Sequence, residues 1–311
     1  MEQSYIWWIG FNVFVLIMLA LDLGVFHRKS KEISVKEAFL WTGFWILLAF
    51  VFNIIVYYTL GTEKAFEFFT GYLIEKSLSV DNIFVIILIF SYFQVPAAHQ
   101  HKVLFWGILG ALVMRGAFIF AGVELIARFH WLIYIFGGFL IYTGIKILSS
   151  GDMKIDPDKN PVIKLARKFF SITDKFHGDQ FFVIREGKKW ATPLFLVLVL
   201  IESTDLIFAV DSIPAILAVS DDTFIVYTSN VFAILGLRSL YFALAGIEKY
   251  FKYLKYGVSA ILVFVGIKMA IIDFYKIPIE ISLAFIFIAL SLATLASMIF
   301  VSHEQEAEKK K

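Results

Sequence analysis

Residues 202–214, ESTDLIFAVDSIP, set three carboxylates, Glu202, Asp205 and Asp211, inside an apolar run from 191 to 218. A run of that length reads as a transmembrane helix, since a hydrocarbon core about 30 Å thick takes roughly 20 helical residues. A charge at the centre of such a helix costs about 2.5–3.5 kcal/mol on insertion scales, so it marks a function or demands a compensating charge. Pro214 closes the motif, and its ring clashes with the Val210 carbonyl and leaves it without a donor. The expectation is an interrupted helix with a freed carbonyl beside Asp211.

The rest of the chain shares this character. Of 311 residues, 60% are hydrophobic and 17% charged, against about half and a quarter in soluble domains. The 35 phenylalanines and a mean hydropathy of +0.81 place the chain among all-α polytopic membrane proteins. Nine apolar runs serve as spans, at 5–26, 37–60, 72–94, 103–127, 130–150, 191–218, 224–247, 253–273 and 279–301. They are continuous, which disfavours a membrane barrel with its period of two. The first run reads as a retained span: Met1–Ser4 has no basic residue, and Arg28, Lys29 and Lys31 follow it. The chain has no cysteine, which excludes disulfides, iron–sulfur clusters and thiolate metal sites. Phosphate loops, nucleophile elbows and metalloprotease pairs are absent too. No enzyme activity, organic cofactor or nucleic-acid partner is therefore expected.

Charge sets the orientation. Alternating the nine spans from an outside N-terminus puts 20 of the 28 Lys and Arg in inside loops, nine of them in the loop 151–190. Outside loops hold only Lys64, Arg128 and Lys276, beside Glu63, Glu67, Asp221, Asp222 and Asp273. That asymmetry follows the positive-inside rule, with a cytoplasmic C-terminus. In the long loop, Ile163, Leu165, Ala166, Phe169, Phe170 and Ile172 interleave with Lys164, Arg167, Lys168 and Lys175. The pattern suits either a short interfacial amphipathic helix or a solvated linker.

An internal repeat organises the remainder. Val80-Asp81-Asn82, Arg115, Ala121–Glu124 and Gly144-Ile145-Lys146 recur in order as Val210-Asp211-Ser212, Arg238, Ala245–Glu248 and Gly266-Ile267-Lys268. Each copy covers three spans, so the copies would insert with opposite orientation, an arrangement of transporters with a midplane site. The competing reading is a shared packing pattern, with Gly144 and Gly266 as close-approach positions. The organisation is then one transmembrane domain. Two N-terminal helices occupy 1–71, the first repeat 72–150, a cytoplasmic loop 151–190 and the second repeat 191–275. The last helix and basic tail fill 276–311.

Five intramembrane acids form the candidate metal site: Glu75, Asp81, Glu202, Asp205 and Asp211. Asn82 and Ser212 are supporting ligands, and Arg115 and Arg238 are counter-charges. Residues six apart on a straight helix are related by a net rotation of about 240°, so Glu75 and Asp81 cannot share a face, nor can Asp205 and Asp211. Glu202 and Asp205 can. The first copy has no proline where Pro214 stands, and Ser77 and Ser79 are weak candidates for a break there. Lys146 and Lys268, near span ends, are expected to snorkel. No histidine enters a span interior, so the ligands are oxygens, suited to Mn²⁺, Mg²⁺ or Ca²⁺, or to a proton relay. Asp81 and Asp211, equivalent in the repeat, are expected to meet at the midplane and share one cation.

Leu78–Asn82 (LSVDN) and the run ESTDLIFAVDSIPAILAVSDDTFIVYTSNVFAILGLRSLY over 202–241 resemble the TerC family of membrane proteins, and the likeness spans nearly the whole chain. The resemblance implies a bacterial inner-membrane protein of metal homeostasis, associated with manganese export and tellurite-stress resistance, whose intramembrane acids handle the ion. Mn²⁺ would be cargo. The alternatives are a non-transporting scaffold for stress-response or membrane-protein maturation partners docked on 151–190, and a Ca²⁺- or H⁺-handling transporter.

Overall fold

The computed structural model describes residues 5–24, 35–129, 131–149, 161–185, 187–245 and 254–309. Helices dominate them. They are α1 (Tyr5–Gly24), α2 (Val35–Leu60), α3 (Thr62–Tyr92), α4 (Ala97–Arg128), α5 (Leu132–Ser149), α6 (Pro161–Phe169), α7 (Pro193–Leu217), α8 (Thr223–Ile234), α9 (Leu237–Leu244), α10 (Leu254–Ala270) and α11 (Ile279–Lys309). A hairpin of β1 (Phe182–Arg185) and β2 (Lys188–Ala191) follows α6. Among the described residues, five segments are long and apolar enough to cross a bilayer: Lys36–Leu60, Ala97–Ile126, Pro193–Leu217, Thr223–Leu244 and Ile279–Ser297. Shorter apolar stretches lie at Tyr5–Leu21 and Leu132–Leu148. The chain is an all-α polytopic membrane protein.

Each apolar run lies on a helix, with three differences from the sequence reading. The third helix begins at Thr62 rather than near 72, so Glu63, Lys64 and Glu67 are helical, not loop. A single residue, Gly61 at φ 93°, turns the chain from α2 into α3. The sixth run is not interrupted: α7 runs through Pro214 to Leu217. Pro214 lies in the last turn, where the missing N–H removes one bond from a helix about to end. The third run carries no break at Ser77 or Ser79 either, since α3 is continuous.

The break lies in the seventh run instead. Leu235 (φ −57°, ψ 130°) and Gly236 (φ 81°, ψ 3°) separate α8 from α9. These angles are those of a type II turn, whose third residue needs φ above zero and so favours glycine. Trp45 of α2 closes over the turn, and a Cβ on Gly236 would sit 2.6 Å from its ring. Asp222 caps the other end of α8, accepting from the Phe224 and Ile225 amides at 2.9 and 3.3 Å. Of the five long apolar segments, α8–α9 is the most enclosed, while α2 and α11 are peripheral.

Packing between the stretches 72–150 and 191–275 is extensive. α3 lies on α7 and α8, α4 lies on α7, and α5 packs along α10. A Cβ on Gly266 would meet the Gly137 carbonyl at 2.6 Å and Ile141 at 2.8 Å; one on Gly144 would meet the Ser259 carbonyl at 2.9 Å and Val263 at 2.7 Å. The interval from Gly137 to Ser259 equals that from Ile141 to Val263 and from Gly144 to Gly266. Both sets of landmark glycines are thus close-approach positions. Lys268 does not snorkel: it is buried and donates to Ser282 Oγ at 3.1 Å. Lys146 is exposed, over the Tyr142 ring.

Candidate functional site

The site grows from Arg115, at the middle of α4. An arginine cannot shed its proton in a protein, so a buried one must find anions. Arg115 is 3% exposed and reaches two. Nη2 donates to Asp205 Oδ1 at 2.8 Å and Nε to Asp205 Oδ2 at 3.3 Å, a two-pronged grip on α7. Nη1 pairs with Glu75 of α3 and lies 3.5 Å from Ser212 Oγ. Asn82, two turns along α3 from Glu75, donates Nδ2 to Asp205 Oδ1 at 2.8 Å. Glu75 is 0% and Asp205 5% exposed. Three helices therefore converge on one ion-pair cluster near their midpoints.

Glu75 and Asp205 are separated by the same interval as Asp81 and Asp211, and as Asn82 and Ser212. The acids brought together are therefore a repeat-related pair, joined through an arginine. Asp81 and Asp211, on which the sequence reading placed the shared cation, lie on α3 and α7, with side chains outside the described residues. Glu202, one turn before Asp205, turns toward α4: its carboxylate packs on Gly110, in space that any Cβ would fill. Arg238 is buried as the second residue of α9. Ser203 and Thr204 bond back to Leu200 and Ile201 carbonyls at 2.8 Å, so the polar residues of ESTD serve their own helix.

Several polar atoms on α3, α7 and α8 are buried without a hydrogen-bond partner: Glu75 Oε2 and Asn82 Oδ1 in the cluster itself, and Ser79 Oγ, Glu202 Oε2, Thr70 Oγ1 and both amide atoms of Asn230 elsewhere on those helices. All but the Asn230 nitrogen are oxygens able to face a hard cation. Among the described residues no three His, Asp or Glu side chains gather closely enough to share a metal. Arg115 lies between Glu75 and Asp205, and the Glu202 carboxylate packs on Gly110.

Sequence reasoning missed Lys76. It neighbours Glu75, and its ammonium donates to the Ala233 carbonyl at 3.2 Å. That carbonyl sits in the last turn of α8, where helix carbonyls lack partners and carry the negative end of the dipole. Gly236, also missed, was legible as a lone glycine in an apolar run.

Buried charge at the junction of membrane-embedded helices defines a polytopic integral membrane protein with a polar centre. The sequence profile of the integral membrane protein TerC family matches residues 60–306, and the chain belongs to that family. It is 55% identical over 296 residues to the "Uncharacterized membrane protein STKORF319" of Myxococcus xanthus, covering 95% of this chain and 93% of that one. Two proteins carrying the name "Putative membrane-bound redox modulator Alx" are also similar. That of Salmonella typhi is 48% identical, covering 96% and 95% of the two chains, and that of Escherichia coli K12 is 50% identical, covering 90% of each. No solved structure matches the chain.

Proposed function

We propose that the protein carries a hard divalent cation, Mn²⁺ before Ca²⁺ or Mg²⁺, across the bacterial inner membrane, in the export direction. The observation that supports this best is the Arg115 bridge between Glu75 and Asp205, with the buried, unpartnered Glu75 Oε2 and Asn82 Oδ1 on residues of the same cluster. With both carboxylates ionised, these three groups sum to one negative charge. Two charges removed from water are costly unless well paired, so Arg115 serves as the resident cation in the absence of cargo. A divalent ion entering the acids must displace the guanidinium, which swings as an intact cation because it cannot deprotonate. Loading and release then become an exchange of one positive group for another.

The extensive packing of α3–α4–α5 with α7–α8–α9–α10 favours inverted repeats, whose meeting line is where transporters hold substrate. Asp81 and Asp211 remain in the proposal as further ligands, and Glu202 lines the access path. No organic cofactor and no enzymatic step enter it. Tellurite resistance would be an indirect stress phenotype. The redox role in the names of relatives cannot run through thiols here, since the chain has no cysteine.

Purified protein in liposomes tests the reading. Mn²⁺ flux should exceed Ca²⁺ and Mg²⁺ flux and should respond to an imposed pH gradient. Asp81→Ala or Asp211→Ala in folded protein should abolish it. Flux at the wild-type rate in both variants would move the assignment to a scaffold built on 151–190. Orientation follows from single introduced cysteines: Ser4→Cys should label from outside intact cells, and Ser171→Cys and Ser302→Cys should not.

A further inference from the structure

We infer that α6 and the β1–β2 hairpin form an interfacial platform that binds the anionic headgroups of membrane phospholipids. The inference is independent of the transported ion. The platform is ordered. Thr173 N and Ala191 O pair at 2.9 Å, as do Ala191 N and Ser171 O, and Thr192 donates Oγ1 to the Gln180 carbonyl at 2.7 Å. Phe170, Phe182 and Phe195 pack ring on ring, fastening α6 and the hairpin to the first turn of α7. Ile163 anchors α6 from below.

Ile163 is buried and Phe182 and Phe195 are half-buried, while other apolar residues are left outside. Phe169 is 72% and Ile184 81% exposed, and Leu165, one helical turn before Phe169, is also exposed. Lys164 and Lys168 form the adjoining stripe on α6, while on the hairpin Lys189 stands directly across from Ile184 and Arg185 and Lys188 form the next cross-strand pair, at its turn end. With Lys175, six cations are exposed on the platform among the described residues, against two acids, Asp174 and Asp179. Asp179 is already paired with Lys102 at 3.2 Å. Exposed aromatic and aliphatic tips interleaved with lysines fit the boundary of an anionic bilayer, where the ring enters the headgroup layer and the ammonium meets phosphate.

Two features identify the occupant as lipid rather than a soluble partner. β2 ends two residues before α7, a helix apolar and long enough to span, so the platform is tethered at a membrane entrance. The excess charge is uniformly positive, complementary to an anionic leaflet.

The absence of cysteine in the chain allows a direct test. Full-length Phe169→Cys and Ile184→Cys proteins carry an environment-sensitive fluorophore in vesicles of phosphatidylcholine alone or of equal parts phosphatidylcholine and phosphatidylglycerol. Lipids spin-labelled near the headgroup should quench both probes in the anionic vesicles and much less in the neutral ones. Raised salt should reverse the difference. Lys188→Gln and Lys189→Gln should each weaken the anionic dependence, roughly fivefold per lysine, while melting temperature in detergent stays unchanged. Quenching equal in the two vesicle types would overturn the headgroup assignment. Probes reached by aqueous iodide and untouched by the spin label in both would overturn the membrane contact and favour a soluble partner.

Discussion

α4 and the α8–α9 pair each carry one of the two arginines, Arg115 and Arg238, that the sequence landmarks match, yet they solve different problems. α4 runs unbroken from Ala97 to Arg128 and presents Arg115 from its middle to two acids on neighbouring helices. α8–α9 is interrupted by a type II turn at Leu235–Gly236, and Arg238 follows within the first turn of α9. The continuous α4 thus supplies a rigid charge, and α8–α9 supplies backbone ends. What converts one into the other is local: a glycine with positive φ, a tryptophan seated on it, and a lysine on a terminal carbonyl. Unwound backbone deep in a membrane is tolerated only where protein shields it, and α8–α9 is the most enclosed long segment.

The comparison breaks most sharply at Arg115. Arg115→Met leaves Glu75 and Asp205 facing each other without a counter-charge, and the expected loss is about 3–5 kcal/mol, read as thermal unfolding in detergent. Adding Glu75→Gln and Asp205→Asn should restore most of it. If the single variant melts like wild type, the arginine is packing and the straight helix has no charge to present.

Next in size is Gly236→Ala, which must adopt φ 81° and push into Trp45. Strain and overpacking together predict about 2–4 kcal/mol. Val113→Gly, in the continuous counterpart, should cost only about 1 kcal/mol. Equal losses at the two sites would mean that the break is no more demanding than the helix. Lys76→Met removes a charged donor from the Ala233 carbonyl, worth about 1.5–3 kcal/mol. Amide exchange should quicken in α8–α9 and stay unchanged in α4. The smallest effect is expected for Gly110→Ala. The added methyl meets the end of a flexible Glu202 side chain, which rotates away for under about 1 kcal/mol. Cation flux should nevertheless change, because a carboxylate has moved.

Much of the molecule was legible along the chain. Continuous apolar runs fixed helices and membrane class, because hydrocarbon demands both apolar side chains and internally bonded backbone. The acids stood out for the same reason. α3 was harder to delimit: Glu63, Lys64 and Glu67 look like loop, yet Lys64 pairs with Glu67 at 2.7 Å within the helix. The loop 151–190 left a short amphipathic helix and a solvated linker equally open, and it did not show the hairpin, which depends on Phe170 and Phe182 meeting Phe195.

The sequence by itself determined that this is a polytopic membrane protein of the TerC family with carboxylates and arginines in its spans. Those features need only composition, run length and motif. The tertiary structure alone decided which groups meet. Asp205 finds Arg115 because α4 packs along α7, and Glu75 joins them because α3 packs on α7 as well. It also decided where the chain breaks. A proline in the last turn of α7 deletes one bond from a helix already ending, whereas Gly236 turns the chain under Trp45, a residue far away in sequence whose position only folding supplies.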